Sequence, residues 1–236
     1  PSKDIGMMEV ARLRPFRVVR SLVEPGALLL VLGFAAFIAY VPRIGYPYPI
    51  HIDEWNNIGN AQAVIQTGDT RYVEPFFGEA RVTEQAEIGS YILLAEIKLF
   101  TGLPWADIAR FFPAVLVIVT ALTAYVFGKR SGYGLEAALF VSLLPTTLRL
   151  LGPAFLVPAA LGAFFIILLV LHLHHLGLQT RSAINLYIIF LFLLHPPTGV
   201  VAALLLAVYL LVSFFRRADP AQRQSAARLA ASLALG

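Results

Sequence analysis

The chain alternates long apolar runs with short basic or proline-marked breaks, and that alternation leaves few folds open. A helix needs about 20 apolar residues to cross a bilayer, within a range of about 17–25. Gly26–Val41 follows Pro25, a favourable first-turn residue, and reads as a first span. Phe111–Phe127 reads as a second, with Pro113 in its opening turn. Leu135–Leu148, extendable to Leu151, reads as a third and Pro153–Leu171 as a fourth. The block Ala183–Phe215 is too long for one straight span, and His195-Pro196-Pro197-Thr198-Gly199 interrupts it. Prolines remove backbone donors and end helices, so the block divides into two short spans turning at His195–Gly199. The expected fold is all-α: a polytopic membrane helix bundle of about six transmembrane helices. It forms one transmembrane domain over residues 1–236, with a long helical first outer loop at residues 42–110.

Composition bears on this in two ways. Hydrophobic residues make up 58% of the chain and charged residues 14%, with a mean hydropathy of +0.76. A soluble domain carries roughly a quarter charged residues, so the polar surface for a water-facing globule is missing. The net charge of +4 comes mostly from basic residues lying between the apolar runs. With a cytoplasmic N-terminus, the inner side holds Lys3, Arg12, Arg14, Arg17, Arg20, Lys129, Arg130, Arg181, Arg216, Arg217, Arg223 and Arg228, which is 12 of the 18 basic residues. The outer side keeps Arg43, Arg71, Arg81, Lys98, Arg110 and Arg149. Positive charge accumulates inside, and reading Ala183–Phe215 as one span would move four of those arginines outside. The expectation is therefore a multi-pass protein of the cell membrane. The same distribution argues against nucleic acid as a partner, because no basic groove tracks a phosphate backbone. Cysteine is absent, so there is no disulfide, thiolate metal site or cysteine nucleophile. The tail after Ala218 turns into a further apolar helix and then stops, which reads as the N-terminal part of a longer chain.

Between Asp53 and Glu87 the first outer loop carries seven of the 14 acidic residues: Asp53, Glu54, Asp69, Glu74, Glu79, Glu84 and Glu87. Loops of this length are usually functional. Past the proline-rich entry Tyr46-Pro47-Tyr48-Pro49, a helical pattern puts Asp53, Asn57 and Asn60 on one stripe and Trp55, Ile58, Gln62 and Ile65 roughly opposite. Asp53 heads a polar face in this reading, and Trp55 and the isoleucines pack on the membrane domain. Near a helix N-terminus Asp53 serves either as an N-cap or as a functional carboxylate; spacing does not choose. A second amphipathic helix, about Glu84–Phe100, ends at Thr101-Gly102-Leu103-Pro104.

Several strings then stand in a telling order. Asp53-Glu54-Trp55 leads to Gly59-Asn60-Ala61 and Ile65-Gln66-Thr67-Gly68-Asp69. Ser90-Tyr91-Ile92-Leu93-Leu94-Ala95 leads to Phe100-Thr101-Gly102. Ala109-Arg110-Phe111-Phe112-Pro113 opens a helix to Tyr125, followed by Gly128-Lys129-Arg130. In this order the chain resembles the membrane glycosyltransferases of the GT-C class, which include protein O-mannosyltransferases, aminoarabinose transferases and oligosaccharyltransferase catalytic subunits. The resemblance covers residues 20–215 as a pattern and is sharpest over Asp53–Arg130. Many members carry Pro-Pro-Leu before the second loop helix, where this chain has Glu87-Ile88-Gly89-Ser90.

The resemblance implies transfer of a sugar from a polyprenyl-phosphate-linked donor to an acceptor on the outer membrane face. It implies Asp53 as catalytic base or metal ligand, with Glu54 as a neighbour sharing that role, although adjacent helical side chains diverge by about 100°. His51 would join Asp53 in holding a divalent metal ion. Arg110 and Arg149, at the outer ends of spans, would hold lipid phosphate, or else merely snorkel to the interface. His195 would bind substrate from the outer turn. The implied partners are membrane lipid, the lipid-linked donor and other membrane subunits. Two other classes compete. One is a non-catalytic structural subunit that keeps the transferase scaffold. The other is a transporter, which calls for ionisable or broken positions in mid-span, where only Pro145 and Pro158 stand.

Overall fold

A computed structural model describes residues 23–46, 48–73, 75–76, 82–83, 86–144, 154–176 and 181–215. The fold is mostly helical. Helix α1 (Val23–Arg43) closes on a 3-10 turn at Val41–Arg43. Then come α2 (Ile52–Thr67), α3 (Ile88–Thr101), α4 (Trp105–Lys129), α5 (Gly134–Ser142), α6 (Pro158–Leu176), α7 (Arg181–Leu194) and α8 (Pro196–Phe215). Between α2 and α3, β1 (Tyr72–Val73) and β2 (Val82–Thr83) pair antiparallel, with Tyr72 opposite Thr83. The sequence pattern held no sign of this short ladder.

The helix ends follow local chemistry. Gly68 and Gly102 stop α2 and α3 in the left-handed region, at φ 64° and 66°, where a side chain would be strained. In α4 the helix begins at Trp105, just after Pro104, rather than at Phe111. Pro113 therefore lies inside the helix, not in its opening turn as expected. Helix α6 begins at Pro158; the expected start at Pro153 falls outside the described residues, and residues 154–157 are not helical. The block Ala183–Phe215 does divide, but the break is His195 alone, because α8 restarts at Pro196. A proline at a helix start needs no backbone donor, so the pair that ends α7 also suits the first turn of α8.

Among the described residues, two helices, α1 and α4, are long and apolar enough to cross a membrane. They differ in packing: 11% of the most apolar window of α1 is buried, against 50% for α4. Ala35 and Ala39 are fully buried and lie with Val117 and Ala154, so small side chains let α1 approach α4. A second cluster joins α4 to α5 through Ala121, Ala124, Tyr125, Ala138 and Val141. A third unites α6, α7 and α8 around Leu169, Ile184, Leu191, Leu194 and Leu206. The loop helices α2 and α3 have their own core with the start of α4, built on Ile58, Ala61, Tyr91, Leu94 and Ala109.

Helix α2 is oriented differently from the sequence reading. Asn57 and Asn60 are buried at 2% and 0% exposure, whereas Trp55 is 42% exposed. Asn57 faces inward because it has a buried polar partner, its Nδ2 donating to the Leu156 carbonyl at 3.1 Å, whereas Asp53 stays half exposed. Trp55 instead donates its Nε1–H to the Pro49 carbonyl at 3.1 Å.

Candidate active site

The first turn of α2 separates two adjacent carboxylates. Glu54 points inward and is wholly buried. Its Oε1 accepts from Arg43 Nη2 at 2.5 Å and from the Leu156 amide at 2.8 Å, and its Oε2 accepts from the Ile50 amide at 2.9 Å. Arg43 is itself 1% exposed and donates Nη1 to the Ala39 carbonyl. Glu54, expected to share a catalytic role, thus ties the end of α1 to α2 and to residue 156, with both oxygens occupied.

Asp53 points the other way, with half of its side chain exposed. The capping question has a direct answer: the N-cap of α2 is His51, whose Nδ1 accepts from the Asp53 amide at 3.2 Å. The Asp53 carboxylate is left outside that bond, with its Oδ2 3.3 Å from the same His51 nitrogen.

Asp53 opens onto a cavity of about 170 Å³, lined also by Asn56, Asn57, Glu87, Val157, Pro158, Ala159 and His195. Four helices begin around it. Asp53 is in the first turn of α2, Glu87 immediately precedes α3, Pro158 opens α6 and His195 immediately precedes α8. Each helix start carries partial positive charge from unpaired N–H groups, so two carboxylates gather where positive ends converge. Their approach depends on close helix contacts. A Cβ on Gly89 would lie 2.8–3.0 Å from the Leu193–Leu194 backbone, so α3 starts directly against the end of α7. Gly162 gives Thr198 the same freedom to sit against α6.

His195 and Glu87 meet at 3.5 Å, Nε2 to Oε1. The other ring nitrogen, Nδ1, lies 2.6 Å from Thr198 Oγ1. An ion pair would lower the carboxyl and raise the imidazole, yet both move the opposite way. Burial pushes the Glu87 carboxyl above its ordinary value, and the Asp53 charge adds to this. Burial also holds the His195 imidazole below its ordinary value, so the ring is neutral at pH 7. The arrangement that satisfies both neighbours has Nε2–H donating to Glu87 and Nδ1 accepting from the Thr198 hydroxyl.

Of the residues expected at the site, Asp53 and His195 share the cavity, and His51 stands beside Asp53. Arg110 does not line it. Its guanidinium lies over Tyr40 and Phe111, 5.5 Å from each ring, and its Nη2 is 3.5 Å from the Ile44 carbonyl. Arg149 lies outside the described residues. Glu87 was missed because the pattern started its helix at Glu84, which buried Glu87 within a turn instead of at a helix start. For the implied metal, His51 and Asp53 supply two donors, and His51 Nδ1 is already engaged. Among the described residues no three His, Asp or Glu side chains form a ligand set, so no step is routed through an ion. Comparison of the chain with protein-family models, with curated proteins and with solved structures finds no match in any of the three.

Proposed function

We propose that the chain is a GT-C type membrane glycosyltransferase, or the N-terminal part of one. In this reading it is a multi-pass protein of the cell membrane with a cytoplasmic N-terminus. Six spans make up this reading, namely α1, α4, a third that α5 opens, α6, α7 and α8, and the Asp53 cavity opens on the outer side. The observation that carries the reading is Asp53 itself, a half-exposed carboxylate freed from capping by His51 and facing a cavity ringed by helix starts. Such starts suit a phosphate group.

In the proposed reaction Asp53 accepts the proton of an acceptor hydroxyl. The acceptor oxygen bonds to the anomeric carbon as the bond from that carbon to the phosphate oxygen breaks. The bonding pair leaves with the polyprenyl phosphate. Arg110, at the α1–α4 rim, contacts lipid phosphate, and neutral His195, whose single N–H goes to Glu87, lines the substrate cavity and holds that carboxyl in place.

A second reading, a non-catalytic subunit that keeps the scaffold and binds other membrane subunits, has one specific support. The cavity of about 170 Å³ is smaller than the roughly 300–1,000 Å³ usual for ligand sites. Asp53→Asn decides between them. Transfer of labelled sugar from a polyprenyl-phosphate donor should fall about 10²-fold or more, the scale of lost acid–base catalysis, with membrane insertion unchanged. Equal transfer by Asp53→Asn and parent removes Asp53 as the base. A parent protein inert with every lipid-linked donor supports the scaffold subunit.

A further inference from the structure

We propose that the segment from Val41 to Trp55 is a surface anchor whose exposed side chains lie in the headgroup region of the outer leaflet. Six large apolar side chains are exposed within it: Val41 39%, Ile44 56%, Tyr46 50%, Tyr48 51%, Ile52 76% and Trp55 42%. Single exposed apolar residues are ordinary, but a contiguous set marks a surface that meets something. Three of the six form a ladder. Tyr48 stacks on Trp55 at 6.3 Å and 23°, and Tyr46 meets Tyr48 edge-on at 5.6 Å. Trp55 spends its N–H on Pro49, inside its own segment, so the face it presents outward is apolar.

Two observations make the occupant a bilayer and not a soluble protein. First, the patch continues the apolar surface of α1, where Leu29, Leu30 and Phe37 are 70%, 77% and 60% exposed. Tyrosine and tryptophan concentrate where such a helix leaves the hydrocarbon. Second, Arg110 leans against this segment through the Ile44 carbonyl, with its guanidinium over two rings at the end of the apolar belt. An arginine there reaches the level of lipid phosphate. Asp53, two residues from Trp55, is then held at headgroup depth, where a lipid-borne ligand presents its polar end.

The inference rests on α1 as a spanning helix, but not on the transfer reaction. The chain has no cysteine, so single spin labels report depth in phosphatidylcholine vesicles. Labels go at Ile52→Cys, at Leu30→Cys on α1, and at Thr70→Cys, an exposed residue of the turn after α2. Collision with oxygen reports lipid, and collision with a water-soluble nickel chelate reports water. The expected result is oxygen-dominated collision at position 30, nickel-dominated collision at 70, and an intermediate balance at 52. A label at 52 as nickel-accessible as that at 70, with 30 still in lipid, overturns the anchor and leaves the span intact. Nickel access at 30 overturns the span itself. Trp105→Phe leaves Trp55 as the sole tryptophan, and quenching by lipids brominated near the headgroup repeats the measurement without a label. Quenching by aqueous iodide alone again overturns it.

Discussion

Glu54→Ala is expected to be far more damaging than its place beside Asp53 suggests. The substitution leaves the Arg43 guanidinium, 2% exposed at its side chain, without its anion. Removing one partner of a buried pair costs about 3–5 kcal/mol. It also orphans the Leu156 amide, whose residue is 1% exposed, at about 1–3 kcal/mol. Water can replace the bond to half-buried Ile50, so that amide adds little. The total of about 4–8 kcal/mol approaches the whole stability of an ordinary domain, about 5–15 kcal/mol. The double variant Arg43→Met/Glu54→Leu should recover most of the ionic part, because apolar side chains of similar size replace buried pairs at little cost. It should lose only the orphaned amide. Both are measured by unfolding in mixed micelles of rising SDS fraction, followed by far-UV circular dichroism. If the double variant is as unstable as the sum of Glu54→Leu and Arg43→Met, the two residues are not coupled and the reasoning is refuted.

Gly89→Ala should lower stability by about 1–3 kcal/mol, the range for overpacking, because its methyl would meet the Leu193 carbonyl at 2.9 Å. Gly33→Ala, with nothing within 4 Å, should be neutral or slightly stabilising in α1; equal effects in the same micelle assay would contradict the contact. Glu87 and His195 give stability opposite pH slopes. The raised carboxyl loses stability as pH rises from its ordinary 4.5 toward its folded value, and the lowered imidazole loses stability as pH falls below its ordinary 6.5. Glu87→Gln keeps only the second slope, so its melting temperature should climb more steeply than the parent's toward about pH 6.5; parallel curves would count against the burial of Glu87. Thr70→Cys should react with an impermeant maleimide from outside intact cells, and reaction only after permeabilisation would reverse the proposed orientation.

Much of the helix framework was legible because its signals are local. Gly68 and Gly102 stop helices wherever they stand, and the double proline at 196–197 splits an apolar block whatever surrounds it. The early start of α4 was hidden because Trp105–Arg110 is polar enough to read as loop, although it packs on α2 through the Trp105–Gln62 bond of 2.7 Å. The inward turn of Asn57 could not be read from its helix, since its partner is a backbone carbonyl 99 residues away. The division of labour between Asp53 and Glu54 was half visible. Their angular separation follows from helix geometry, but the inward direction of Glu54 depends on Arg43 and Leu156. Glu87 carries no motif, and only the assembled bundle brings it to His195.

The bonds from α2 to residue 156 also impose an order on synthesis. Glu54 meets Arg43 only 11 residues away, so that pair can form as soon as α2 leaves the ribosome. The bond from the Ile50 amide is equally local, but the one from Leu156 comes 102 residues later. At about 5–20 residues per second, α2 spends roughly 5–20 s as an unfinished element, with Asn57 and one side of Glu54 still hydrated. During that interval the cavity has no floor, because Val157 and Pro158 do not yet exist. The site thus closes late: the first turn of α6 replaces water with backbone beside Glu54, and His195, made later still, completes the lining next to Glu87.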